Sequence, residues 1–271
     1  MDGGVPRLIH QVFPHSDLPP KLTENVRKLR DLNPDWEYRF YNDRDIEDYL
    51  GKYFPEFLKS YLAIDPHYGV VRADLFRYLL MYREGGVYLD IKSFFSRPLS
   101  ESTGPADCYI LSHWPNQPGQ DHESWGKHSE ISNPHGEFQQ CFIIATKGHP
   151  FLKAVLEAVL KNIDHYNPFR HGTAKYGVVR LSGPVAYTLA ITPLLSRYEH
   201  RLVDSQADLG FVYSVLGLLG PESHFNTFKT HYTQLDLPIV SSGFKGWILA
   251  RLYAISRIFR KKVPDYYGVM K

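Results

Sequence analysis

The hydrophobic positions of this 271-residue chain change period several times, and each change marks an element. Residues 8–13, Leu-Ile-His-Gln-Val-Phe, predict a first strand followed by a proline-rich loop. Between residues 23 and 32, apolar side chains recur at Val26, Leu29 and Leu32, a helical spacing closed by Asn33-Pro34. Residues 36–41 alternate like a half-buried strand, and residues 43–50 and 54–62 predict short helices with a proline break at Pro55. The strongest helical pattern spans 67–84. There Val70, Val71, Leu75, Leu79 and Leu80 form an apolar stripe, while Asp74, Arg77 and Tyr78 share another face. Gly85-Gly86 ends that amphipathic helix, and the short run 87–90 predicts a buried strand that delivers Asp90 to its far end. Residues 140–146 predict another strand and 150–162 a second amphipathic helix. Strands alternating with helices imply an α/β sandwich with a mainly parallel sheet.

Two regions depart from this rhythm. Residues 107–137 carry many His, Trp, Asn, Gly and Pro and predict one long loop, a kind of segment that is often functional. Residues 244–271 mix Trp247, Ile248, Leu252, Ile255, Ile258 and Phe259 with Lys245, Arg251, Arg257, Arg260, Lys261 and Lys262. That mixture predicts a basic amphipathic helix following a main domain of residues 1–243. Such a helix suits an anionic membrane surface, or packs on the domain with solvated Lys and Arg.

Composition narrows the classes. At 43% apolar and 22% charged residues the chain is an ordinary globular protein, and a net charge of +2 argues against nucleic acid as a partner. The 19 Tyr, 16 Phe and 4 Trp are mostly core residues, with sugar-binding faces as a second use. Two cysteines, Cys108 and Cys141, sit in apolar runs and imply a reducing compartment. Met1-Asp2-Gly3-Gly4 begins no signal peptide, and no run reaches the roughly 18 apolar residues of a membrane span. The expectation is a cytoplasmic protein, peripheral at a membrane, with an anchor ahead of residue 1 left open.

Asp90 at a strand end puts a carboxylate where a phosphate-bearing ligand or its metal can reach it. Sugar transfer from a nucleotide diphosphate needs charge for the leaving group and hydrogen bonds that orient the sugar, which Asp90, Asp74 and Arg77 could supply in part. Structural readings stand beside these. Asp74 and Arg77 could form an i, i+3 ion pair on a wet helix face, and His10 and Gln11 could be core residues satisfied by backbone. Ser182-Gly183-Pro184 starts a helix whose N-terminus is a candidate phosphate or acceptor contact. Asp74 with Asp90-Ile91-Lys92 also has the acid…D-x-K pattern of a Mg²⁺-dependent nuclease, which explains neither His10-Gln11 nor Gly148-His149-Pro150.

Five ordered motifs carry a more specific resemblance. Val5-Pro6-Arg7-Leu8-Ile9-His10-Gln11, Ala73-Asp74-Leu75-Phe76-Arg77-Tyr78, Gly85 to Asp90, Gln140 to Ala145 with Lys147-Gly148-His149-Pro150, and Ser182-Gly183-Pro184 together resemble the DXD sugar-transferase family. The resemblance is to the capsular polysaccharide and α-mannosyltransferase type. It implies a GT-A fold and transfer of a sugar, with retention of configuration, from a UDP- or GDP-sugar to a glycan or lipid-linked acceptor. Asp74 would hold sugar hydroxyls, Arg77 would sit near the sugar and diphosphate, and Asp90 would contact the ribose and a metal's shell. His10, Gln11, Tyr78, Gln140, Ser182, Gly183, Lys229 and His231 would complete the donor site.

The departures are Gln140 for an Asn and Lys92 for the second aspartate of the motif. Mg²⁺ and Mn²⁺ prefer oxygen ligands, so an ammonium there weakens a metal site built on Asp90 and His231. The favoured reading is that no metal is needed and Lys92 itself neutralises the diphosphate. The others are a metal held by other groups, and an inactive, transferase-like binding protein.

Overall fold

The structure is a computed structural model that describes residues 4–217, 235, 237–241 and 243–259. In chain order it builds β1 (Leu8–Val12), α1 (Pro20–Leu32), β2 (Glu37–Tyr41), α2 (Asp43–Tyr53), α3 (Pro55–Ala63), a 3₁₀ turn at Pro66–Tyr68 and α4 (Gly69–Glu84). Then come β3 (Gly86–Leu89), β4 (Phe94–Phe95), α5 (Leu99–Ser102), β5 (Tyr109–Ser112), β6 (Phe142–Ala145), α6 (Pro150–Asp164), α7 (Pro168–His171), α8 (Ala174–Leu181) and α9 (Pro184–Ile191). The described residues end with β7 (Arg201–Val203), α10 (Ser205–Leu209), β8 (Phe211–Val212) and α11 (Gly243–Phe259).

The strands form a six-stranded sheet of order β2-β1-β3-β6-β5-β7 and a small β4-β8 pair. β1 runs parallel to β2 and β3, and β5 runs parallel to β7; β6 is antiparallel to both neighbours. Period-two alternation splits the sheet's side chains between two apolar layers. Tyr88, Ile143 and Ala145 join α4, α6, α8 and α9 on one face. Val87, Leu89, Phe142 and Ile144 join Leu29 of α1, Phe95 and Phe211 on the other.

Two expectations change. The helix at 67–84 was read as amphipathic, yet α4 is buried at Val71 and at every position from Asp74 to Met81. It lies between the sheet and α6 and α8, so its polar face never meets water. The segment 107–137 contains a core strand, β5, whose Tyr-Ile-Leu-Ser run is fully buried. The rest of that segment is an ordered loop built around the Glu137 carboxylate. Glu137 accepts from Trp114 Nε1 at 2.8 Å and pairs with His128 Nε2 at 2.6 Å.

The turn from α4 into β3 needs glycine. Gly85 and Gly86 have φ of +69° and +95°, and a Cβ on Gly86 would lie 2.6 Å from the Leu8 carbonyl oxygen of β1. β1 and β3 could not keep their register around that methyl group. Gly86→Ala is therefore expected to cost at least about 2 kcal/mol in urea unfolding. Gly51→Ala in α2, where no atom lies within 4 Å of the added carbon, should be neutral or stabilising by up to about 1 kcal/mol.

Candidate active site

The chemistry gathers at the carboxyl end of β3, where open α/β sheets bind their ligands. Because β6 is reversed, its first residues lie beside the last of β3: Leu89 pairs with Phe142, and Asp90 N donates to Cys141 O at 2.8 Å. Asp90 and Gln140 thus meet at one sheet edge, and α4 brings Asp74, Arg77 and Tyr78 up from below.

Arg77 ties the cluster together. Its Nη2 stands 3.1 Å from Asp74 Oδ1, its Nη1 stands 3.3 Å from Asp90 Oδ1, and Nη1 also donates to Gln140 O at 2.9 Å. The guanidinium carbon lies 4.6 Å from the centre of the Tyr88 ring. Tyr88 donates its hydroxyl to Asp90 Oδ1 at 3.3 Å. Asp74 accepts from Ser182 Oγ at 2.7 Å, and Tyr78 OH donates to Ser182 O at 2.8 Å and also meets Gln140 Oε1. The Asp74–Arg77 ion pair is enclosed, with side chains 1% and 5% exposed, whereas Asp90 is 23% exposed. The wet helix face that sequence alone allowed for this pair is absent.

Burial works against the Arg77 cation, but the Tyr88 ring, Asp90 and Asp74 outweigh it and hold the guanidinium firmly protonated. Burial pushes the Asp74 carboxyl up to about 6, with Arg77 and Ser182 restraining the rise. In this pair the carboxylate is the member that titrates. Burial likewise pushes the Cys141 thiol up and keeps it neutral, so it is no activated nucleophile.

Lys92 lies just past Asp90 in a short turn that has its own supports. Asn25 Nδ2 donates to the Ile91 and Ser93 carbonyls, each at 2.9 Å, and Val215 N donates to Lys92 O at 2.8 Å. The ammonium donates to Tyr213 OH at 2.9 Å and lies 4.2 Å from that ring's centre. Burial opposes its charge, yet Tyr213 and Asp90 more than compensate, and its pKa sits above the ordinary lysine value. Tyr213 in turn packs on Trp114 and Trp125 from the ordered loop, at 5.2 and 5.6 Å between ring centres.

The other nominated residues divide. Gln11 donates to Asp90 O at 3.4 Å and accepts from Tyr38 OH at 3.1 Å, so it braces the backbone of Asp90 from inside the sheet. His10, a candidate for donor contact or for a core place satisfied by backbone, is fully enclosed and donates from Nε2 to Gly85 O at 3.1 Å, at the opposite end of β3. Burial lowers its pKa to about 4 and keeps it neutral. Gly183 caps α9, and a Cβ there would lie 2.8 Å from Val179 Cα, so its place is set by close chain packing. Lys229 and His231 lie outside the described residues. Sequence reasoning missed Tyr88 and Tyr213. Tyr88 could have been found, because in a strand it shares a face with Asp90 two residues on. Tyr213 comes from a distant segment and left no local signal.

A divalent cation needs several oxygen ligands. Here Arg77 already engages one oxygen each of Asp74 and Asp90, and Lys92 adds a second cation. Among the described residues no three His, Cys, Asp or Glu side chains are grouped to hold a metal. The described donor set does not fit Mg²⁺ or Mn²⁺. The same geometry tells against the nuclease reading, which needs both carboxylates free to share a cation. A surface hollow bordered by Tyr41, Asp45, Tyr49 and Lys52 contains none of the Arg77 cluster.

Comparison with known proteins agrees with the class that this fold and site define. The PaToxG glycosyltransferase superposes with a TM-score of 0.52 at 16% identity, over 85% of this chain and 88% of that one. The UDP-bound glycosyltransferase domain of the YGT toxin gives a TM-score of 0.52 at 7% identity, over 83% and 82%. These likenesses establish the fold, a glycosyltransferase fold of GT-A type. Residues 19–110 match the family described as the glycosyltransferase sugar-binding region containing the DXD motif. Inositol phosphoceramide mannosyltransferase 3 of Schizosaccharomyces pombe is 28% identical over 172 residues, covering 64% of this chain and 42% of that protein. The initiation-specific alpha-1,6-mannosyltransferase of Candida albicans is 23% identical over 152 residues, covering 52% and 38%. This chain spans less than half the length of either relative. The run at the motif within the matched region is Asp90-Ile91-Lys92.

The Asp74 titration has a direct consequence. On acidification Asp74 takes up a proton, and Arg77 keeps only one of its two carboxylate partners. Donor turnover, kcat/KM, should fall about tenfold per pH unit below about pH 6 in the wild type. Asp74→Asn should be slow throughout and lack that acid limb.

Proposed function

We propose that this protein is a retaining glycosyltransferase that moves a hexose from a UDP- or GDP-sugar to a saccharide or lipid-linked acceptor. The observation that carries this reading is the Arg77 guanidinium spanning Asp74 and Asp90 at the carboxyl end of β3, with the Lys92 ammonium beside them. That end of the sheet offers partly exposed Asp90 for ribose or sugar hydroxyls and a fixed cation for the diphosphate. The family-model match over residues 19–110 supports the reaction class, and the mannosyltransferase names of two relatives favour a mannosyl donor.

Transfer would proceed on one face of the sugar. The bond from the anomeric carbon to the diphosphate oxygen breaks, the acceptor oxygen bonds to the same face, and the acceptor proton passes to the departing phosphate. The absence of an activated nucleophile among the described residues favours this route. Asp74 is enclosed beneath Ser182, Cys141 is held neutral, and Asp90 Oδ1 is occupied by Arg77 and Tyr88. Lys92 takes the role that a metal has elsewhere. An ammonium held by Tyr213 can stabilise the charge that develops on the diphosphate without being recruited from solution.

The test is release of nucleoside diphosphate from a set of UDP- and GDP-sugars, with EDTA or with added Mn²⁺. Turnover should survive EDTA, and failure with every donor in the presence of saccharide acceptors would remove the transferase reading. Lys92→Ala should lower kcat by about 10²-fold or more, as loss of one preorganised charge-stabilising donor does elsewhere. Lys92→Asp should turn EDTA-resistant activity into Mn²⁺-dependent activity. If Lys92→Ala keeps full activity, the lysine does not act on the diphosphate.

A further inference from the structure

α11 is folded against the domain in an unusual orientation. Its small residues Gly246 and Ala250 are buried, and it packs on α7 through Tyr253, whose ring lies 5.5 Å from that of Phe169. The large apolar residues face outward instead. Ile248, Leu252 and Ile255 follow the i, i+4, i+7 spacing of one helical stripe and are 38%, 51% and 52% exposed. Trp247 beside them is 48% exposed with the Arg251 guanidinium 5.3 Å over its ring, and Phe169 of α7 is 43% exposed. Soluble proteins rarely leave a contiguous stripe of this kind in water, and such patches mark interaction surfaces.

Charge identifies the partner. From Leu237 to Pro264 the sequence has six basic residues, Lys245, Arg251, Arg257, Arg260, Lys261 and Lys262, and no Asp or Glu. No helix among the described residues is long and apolar enough to cross a membrane. An outward apolar stripe with an interfacial Trp, on a segment of one charge sign, is the pattern of a helix lying in the plane of an anionic bilayer. Acyl chains take up the stripe, and lipid phosphates and carboxylates meet the Lys and Arg.

We infer that α11, with Phe169 of α7, docks this protein flat onto an anionic lipid surface. The inference goes beyond the transfer reaction and stands on a different part of the molecule.

The experiment is sedimentation of the full chain with vesicles of phosphatidylcholine alone and of phosphatidylcholine mixed with phosphatidylserine, read also by Trp fluorescence. Binding is expected to the mixed vesicles only, weakening as salt rises. Leu252→Asp with Ile255→Asp should weaken it at least tenfold while nucleoside diphosphate release from a soluble donor stays unchanged. Both positions are exposed, so the fold should survive, and an unchanged thermal melt would verify it. Equal vesicle binding by the variant, or no binding by the wild type, overturns the inference. Self-association of the wild type that the variant loses would assign the face to a second copy and overturn it as well. Loss of transfer with intact vesicle binding would count against the proposed reaction alone.

Discussion

A buried cation organises this structure. Arg77 stands in the buried middle of α4, and a guanidinium there is tolerable only if its charge is met. Asp74 meets it from one turn earlier on α4, Asp90 from the end of β3 and the Gln140 carbonyl from the start of β6. Helix and sheet edge are therefore locked together at the point where chemistry is proposed. Removing one partner would leave an uncompensated buried charge, worth about 3–5 kcal/mol, so stability and site geometry cannot be separated here.

The reversal of β6 makes this arrangement possible. In a wholly parallel sheet the residues beside Asp90 would end a strand; here they begin one, and Gln140 and Cys141 come to the same edge. The loop from β5 to β6 then contributes what no strand does. Its Trp114 and Trp125 hold Tyr213, and Tyr213 holds Lys92. The site's second cation is fixed by aromatic packing that originates far from Asp90 in sequence. The long His- and Trp-rich segment is thus a support for the site, anchored on Glu137.

Much of the fold was legible along the chain. The strands around Ile9, Tyr38, Tyr88 and Ile143 and the helices after Pro20 and Pro150 follow from periodicity, proline placement and the glycine pair. β5 was missed because a short apolar run inside polar, turn-forming sequence has no period of its own. α4 was misread because five apolar positions make a stripe on paper, while burial on all sides depends on what the rest of the chain lays over it. His10 shows the same limit: its neighbourhood in sequence is that of a site residue, but its ring points to Gly85.

The sequence by itself determined the α/β architecture, the family resemblance and the presence of Asp74, Arg77, Asp90 and Lys92, because these rest on local spacing and on motifs read in order. Only the tertiary structure decided that Arg77 lies between both carboxylates, that Tyr213 holds Lys92 and that α11 turns its large apolar residues outward. Each of these depends on which distant surfaces meet, and on how burial shifts the balance between charge and solvent. Local pattern carries no record of either.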